Sequence, residues 1–337
     1  MVLRSVAFIV LILVFAHLCR AQTTQPCVGV HTSAGSQASL KRLGKSIPGL
    51  AKLGVSAIVV EVDYGFDFKS HPELVHRGVI TLEDAKQFAA LCRANHIRVI
   101  PSLNCLGHQS WSSHTAELLT KHPELDETPG KYPENKGIYC RSWCPSNPDT
   151  DKIVFPLIDE LIAAFDADAF HVGMDEVFIM ASDDCPLCKG KNPAELFALE
   201  VNHLHHHLVD EKKVEMFMWA DRLIDATQLG YSKWEASKNG TAPAVELISH
   251  DIVLCDWHYG KQAEYKSVPY LMNKGFRVWP AGWHDVKAVE MLMDYSLAQK
   301  NPNLYGYLST IWGKAQPDEL DTFAPTILAT RKMLGKQ

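Results

Sequence analysis

Positive charge is in short supply in this 337-residue sequence: 33 lysines and arginines stand against 39 aspartates and glutamates, a formal net charge of −6. That balance argues against a nucleic-acid partner, whose phosphates are met by basic patches. Long apolar runs are also scarce. One stands at the start, from Val6 to Leu18, behind Arg4 and ahead of Cys19-Arg20-Ala21. It is shorter than the roughly 20 apolar residues of a membrane span, and its layout is that of a cleavable secretory leader over residues 1–21. The expectation is a secreted or periplasmic protein with residues 22–337 as the mature chain and no membrane contact after processing. Losing Arg4 and Arg20 with the leader leaves 31 basic residues against 39 acidic ones.

No internal linker rich in glycine, proline or serine divides the mature chain, and no low-complexity tract interrupts it. A chain of this length with 47% hydrophobic residues can bury one large core, so a single domain is expected. Cysteines number nine, or eight without Cys19, an even count that suits an oxidising compartment. The close pairs Cys140/Cys144 and Cys185/Cys188 are placed to bridge locally. A second Cys-x-x-Cys at zinc-finger spacing is missing, which makes metal binding by Cys185-Pro-Leu-Cys188 with His203, His205, His206 and His207 the lesser reading. Asn239-Gly240-Thr241 matches a glycosylation acceptor.

What is present is a repeat. Short aliphatic runs alternate with longer amphipathic ones, the signature of a parallel sheet with crossover helices. The expected strands are Val28–His31, Ala57–Val62, Arg98–Ser102, Ala169–Gly173, Glu215–Trp219, Ile252–Asp256, Arg277–Pro280 and Tyr305–Thr310. Eight is the number that closes a (β/α)8 TIM barrel of the α/β class. Helices are expected at Leu82–Ala94, capped by Thr81, at Asp149–Phe165, where Pro156 should kink or restart the helix, and at Pro193–Val209. The segment from Leu106 to Asp149 is too long for an ordinary connection and carries Trp111, Tyr132, Tyr139 and Trp143. Long loops after a barrel strand shape the active face, and aromatic planes there suit sugar stacking.

At the end of the fourth expected strand stands His171-Val172-Gly173-Met174-Asp175-Glu176. An isolated Asp-Glu pair is ordinarily two solvated loop acids, but the carboxyl ends of barrel strands are where such enzymes keep their chemistry. The run His-x-Gly-x-Asp-Glu resembles the signature of glycoside hydrolase family 20, the β-N-acetylhexosaminidases. Other stretches share the likeness: Ile100-Pro101 through Gly107-His108, Asp63-Tyr64-Gly65-Phe66, Cys144-Pro145-Ser146-Asn147-Pro148, Met218-Trp219, Asp256-Trp257 and Ile311-Trp312. It covers nearly the whole mature chain.

The resemblance implies a retaining enzyme that removes a terminal N-acetylhexosamine from glycans without a nucleophile or cofactor of its own. In this chemistry the substrate's 2-acetamido oxygen attacks the anomeric carbon, forming an oxazolinium ion. Glu176 is implied as general acid and then base, and Asp175 as the acceptor that orients the acetamido N–H. Trp219, Trp257 and Trp312 would wall the sugar. His108, His171 and Asp63 would contact or support it, and Tyr259 is the candidate donor to the acetamido carbonyl. No metal ligand is expected among them. Two positions depart from the family: Val28-Gly29-Val30-His31-Thr32 lacks its sugar-gripping arginine, and Gly313-Lys314 replaces its acid after the eighth-strand tryptophan. Two other readings remain, a glycan-binding barrel without catalysis and a glycosidase using Glu61 or Asp63 as the opposed carboxylate.

Overall fold

A computed structural model describes residues 26–335, so the expected leader lies outside the described residues. Eight parallel strands close into a barrel. They are β1 (Cys27–Ser33), β2 (Ala57–Glu61), β3 (Arg98–Cys105), β4 (Ala169–Gly173), β5 (Glu215–Trp219), β6 (Val253–Trp257), β7 (Arg277–Gly282) and β8 (Gly306–Thr310). Each pairs with its sequence neighbours, and β1 closes the ring on β8 through Val28↔Tyr307 and Val30↔Ser309. All eight expected strands are there, with ends shifted by a few residues.

Period-two alternation sorts each strand into two cores. Even-numbered residues such as Val28, Val30, Ile58, Val60, Phe170 and Val172 face outward into the layer shared with the helices. The alternate residues of the strands fill the lumen: Ala57, Val59, Ile100, Ala169, Phe217, Val253, Cys255, Trp279 and Ala281. Trp279 is fully buried there, and a Cβ on Gly29 would lie 2.1 Å from its ring. Glycine at that strand position is what leaves room for the indole.

The helices coat the barrel as their caps dictate. Thr81 caps Leu82–Ala94 and forms a capping box with Asp84, while Asn192 caps Pro193–His205. That second helix passes into a π-helical turn at His206–Glu211. Asp149–Phe165 runs as one continuous helix across Pro156, so the helix does not restart there. At the amino ends of the strands, Arg98 bridges Asp168 and Glu215, and Arg277 also pairs with Glu215. These ion pairs close the floor of the barrel, opposite the carboxyl ends of the strands.

The expected local cysteine bridges are absent among the described residues. All eight described cysteines are unbridged, and Cys144 lies 3.3 Å from Cys188 and from Cys185, not beside Cys140. The four histidines do not join them: His203 meets Asp151, His205 meets Asp251, His206 meets Asp210 and His207 meets Asp159. Asn239 donates its side-chain amide to the Val177 carbonyl at 2.8 Å.

Candidate active site

The strands end in a cavity of about 220 Å³ lined by Glu61, Asn104, His108, Trp111, Tyr139, Asp175, Glu176, Trp219, Trp257, Tyr259, Trp283 and Trp312. Its walls are largely aromatic and carry a few polar groups, the make-up of a pocket that stacks a ligand face and orients it by a few hydrogen bonds. The backbone at the rim is strained. Asp63, Leu106, His108, Met174, Glu176 and Trp312 all have positive φ between 39° and 75°. Such conformations cost side-chain-bearing residues of order 1–3 kcal/mol each and gather where geometry serves function.

Asp175 and Glu176 leave β4 on this strained turn, and they are held in different states. His108 Nε2 lies 3.2 Å from Asp175 Oδ2 and 3.5 Å from Glu176 Oε2. Burial by itself would raise the pKa of Asp175, but the charge and hydrogen bond of His108 outweigh it and hold the carboxyl below its ordinary value. Glu176 goes the other way: burial first, then the charge of Asp175, push it up to about 7. Burial would lower His108, yet the facing carboxylates, Asp175 foremost, lift it to about 9. Near neutral pH the cluster therefore holds an ionised Asp175 beside a Glu176 able to carry a proton.

One acceptor in this cluster is unused. Asp175 Oδ1 is buried without a hydrogen-bond partner, a costly state for a carboxylate oxygen. It is satisfied by a ligand that brings an N–H or O–H donor. The backbone N–H of Glu176 is fixed by Asp221 Oδ2 at 3.0 Å, and Asp221 is itself paired with the buried Arg222 at 2.6 Å. Trp257 Nε1 reaches the other Asp221 oxygen at 3.4 Å.

The tryptophans and Tyr259 stand together. Trp312 donates its indole N–H to the Tyr259 hydroxyl at 2.6 Å, and Tyr259 stacks on Trp257 with ring centres 5.0 Å apart. That hydroxyl lies in the cavity wall and also meets the Thr310 side chain, whose own O–H donates to the Gly282 carbonyl. Trp283 flanks the same tyrosine at 5.5 Å and is anchored by the Ile311 carbonyl.

Two of the residues expected in the site lie behind it. His171 is an inward residue of β4, one layer below the acids, with its ring 4.8 Å from Trp219 and its Nδ1 accepting from the Gly173 N–H. Burial holds its pKa down at about 3, so it is a neutral support for the tryptophan. Asp63 does not line the sugar-sized cavity. Its left-handed backbone ends the inward alternation of β2, and both its oxygens accept from Asn104, at 2.8 and 3.1 Å. It lines an adjoining pocket instead. The inward place on β2 belongs to Glu61, which takes a hydrogen bond from Ser33 at 2.8 Å and is raised to about 8 by burial and by Asp63.

Glu61 entered the sequence reading only as an alternative opposed carboxylate and Tyr139 only as a loop aromatic, while Asn104, Asp221 and Arg222 did not enter it. Period-two parity along Ala57, Val59 and Glu61 was the signal for Glu61 as a wall residue. Asp221 and Arg222 follow Trp219 at a strand end, and a charged pair there was the only sign of them. Asn104 carried none. Tyr139, an aromatic of the long loop, reaches Glu176 by a side-chain hydrogen bond.

Comparison with known proteins agrees with this geometry. Residues 45–324 match the model of glycosyl hydrolase family 20, catalytic domain. A β-hexosaminidase of Akkermansia muciniphila is 28% identical over 146 residues, which is 42% of this chain and 27% of that protein. The fold is similar to the β-N-acetylhexosaminidase of Bacteroides fragilis, with TM-score 0.64 and 15% identity over 91% of this chain and 65% of that one. It is also similar to the chitobiase of Flavobacterium johnsoniae, with TM-score 0.68 and 19% identity over 92% of this chain and 48% of that one. The chain thus spans only part of the length of these relatives. With its catalytic-domain match running through most of the barrel, the chain belongs to glycosyl hydrolase family 20.

Proposed function

We propose that this protein is a retaining β-N-acetylhexosaminidase that hydrolyses a terminal N-acetylhexosamine by substrate assistance. The observation that carries the reading is the pairing of unlike carboxyls. Asp175 is held ionised with Oδ1 unpartnered, and Glu176 beside it is held up to about 7. An acetamido N–H is the donor that Asp175 lacks. Its neighbour is a general acid poised for neutral pH.

The steps follow from those states. Asp175 accepts the acetamido N–H and turns the carbonyl oxygen toward the anomeric carbon, while the Tyr259 O–H donates to that oxygen. The oxygen attacks C1 as Glu176 gives its proton to the departing glycosidic oxygen. The C1–O bond to the leaving group breaks, and the ring-closed oxazolinium ion forms with its positive charge against Asp175. Glu176, now ionised, takes a proton from water as that water adds to C1. The oxazolinium opens back to the acetamide, and two inversions leave the configuration retained. Trp219, Trp257 and Trp312 confine the acetamido group. Glu61 and Asn104 stand where sugar hydroxyls need partners in place of the missing first-strand arginine, and Glu61, raised to about 8, offers a proton as well as a lone pair.

The names of the relatives agree with the substrate class, one being an exo β-N-acetylglucosaminidase of Vibrio harveyi in complex with N-acetylglucosamine. The test is hydrolysis of 4-nitrophenyl N-acetyl-β-glucosaminide and its galacto epimer beside the plain β-glucoside. Cleavage confined to the acetamido sugars is expected. Equal cleavage of the plain glucoside would move the nucleophile to Glu61 or another carboxylate, and binding without cleavage would make the barrel a lectin.

A further inference from the structure

We propose that Glu127, Cys144, Cys185 and Cys188 form a structural site for a soft divalent cation, zinc above all, that clips together the two loops carrying the catalytic residues. The four side chains are buried, and one ligand atom from each lies within 4.8 Å of all the others. Cys144 Sγ is 3.3 Å from both Cys185 Sγ and Cys188 Sγ. In a zinc tetrahedron with bonds to sulfur of about 2.3 Å the sulfurs stand about 3.8 Å apart, so a small outward relaxation admits the ion.

Two further features point to a ligand. Glu127 is wholly buried; its Oε1 accepts from the Ser182 N–H at 3.0 Å, Oε2 meets no nitrogen or oxygen donor, and the carboxyl's other side-chain contacts are the Cys185 and Cys188 thiols. No arginine or lysine is paired with it among the described residues. The sulfurs are also met by polar hydrogens, the Leu187 N–H on Cys185 and the Ser146 N–H on Cys144. Such N–H donors support thiolates and orient them as ligands.

A disulfide satisfies this arrangement poorly. Cys144 can bond only one of its two equidistant neighbours, which would leave the third sulfur outside the bridge. A divalent cation engages all four. Glu127 and Cys144 belong to the loop that bears His108 and Tyr139, whereas Cys185 and Cys188 follow Asp175-Glu176. A clip there fixes the distance between the histidine and the acids.

The test is elemental analysis of the purified full chain by mass spectrometry, with no glycoside in the assay, so its outcome is independent of the proposed activity. About one zinc per chain is expected, retained in Glu176→Gln and lost or sharply reduced in Cys188→Ser. Because that serine variant is open to misfolding, Glu127→Gln is measured beside it, with circular dichroism to show that the barrel is intact. Cobalt substitution of the wild type should give the intense thiolate charge-transfer absorption of a tetrahedral site. A reduced protein that takes up no zinc on incubation, metal lost in Glu176→Gln but kept in folded Glu127→Gln, or a thiol count showing Cys144 in a disulfide would each overturn the proposal.

Discussion

Replacing His108 with glutamine tests the electrostatics of the acid cluster directly. The imidazolium is the cation that faces both carboxyls, at 3.2 Å from Asp175 and 3.5 Å from Glu176. In the wild type the alkaline limb of kcat/KM is expected near pH 7, where Glu176 loses the proton it must donate. The acid limb lies below the ordinary carboxylate range, where Asp175 gains one. Removing a neighbouring positive charge disfavours both anions, so both limbs move to higher pH. At an effective dielectric of about 20, a unit charge about 4 Å away is worth about 4 kcal/mol, or roughly three pKa units at 1.36 kcal/mol per unit. The two carboxyls share that effect and titrate as a coupled group, and water relaxes around the glutamine. A shift of about one unit or more is therefore expected in the alkaline limb. The assay is kcat/KM for the aryl N-acetylglucosaminide across the pH range at constant ionic strength, with folding checked at each end. An alkaline limb that stays where it was, in a folded variant, would refute the account of Glu176.

Other perturbations probe the remaining parts. Glu176→Gln should lower kcat by about 10²–10⁴-fold while leaving product binding nearly intact; unchanged turnover removes Glu176 from the mechanism. Tyr259→Phe takes away one donor to the developing oxazolinium and should lower kcat by about 10²-fold with little change in KM, whereas a change in KM alone would make the tyrosine a wall. Gly29→Ala places a methyl 2.1 Å from the Trp279 ring and should destabilise the barrel by at least about 1–3 kcal/mol, read as a lower urea midpoint. A midpoint equal to wild type would mean that the indole is free to move aside.

The strands were legible because barrel strands are short, aliphatic and spaced by amphipathic helices, a pattern that needs no long-range information. The paired acids were legible from the position of Asp175-Glu176 at the end of such a strand and from a resemblance that adjacent motifs share. Pro156 does not restart its helix, because a proline breaks an isolated helix more readily than one packed along its length on a barrel. Asp63 and Glu61 exchanged places for a local reason: a single left-handed residue, invisible in a periodicity count, turned Asp63 onto Asn104 and left Glu61 as the last inward side chain.

By itself, then, the sequence determined the closed (β/α)8 order through local pattern, and pointed to the aromatic wall and the two acids through local pattern joined to the family resemblance. Three features were decided only by the tertiary structure. The unlike ionisation of Asp175 and Glu176 depends on His108, which arrives from another strand. The Tyr259 hydroxyl is oriented by Trp312, 53 residues away. The cysteines read as two local pairs converge instead on Cys144 and Glu127. In each case the deciding quantity is a distance between segments remote in the chain, set by how the barrel closes and not by spacing along it.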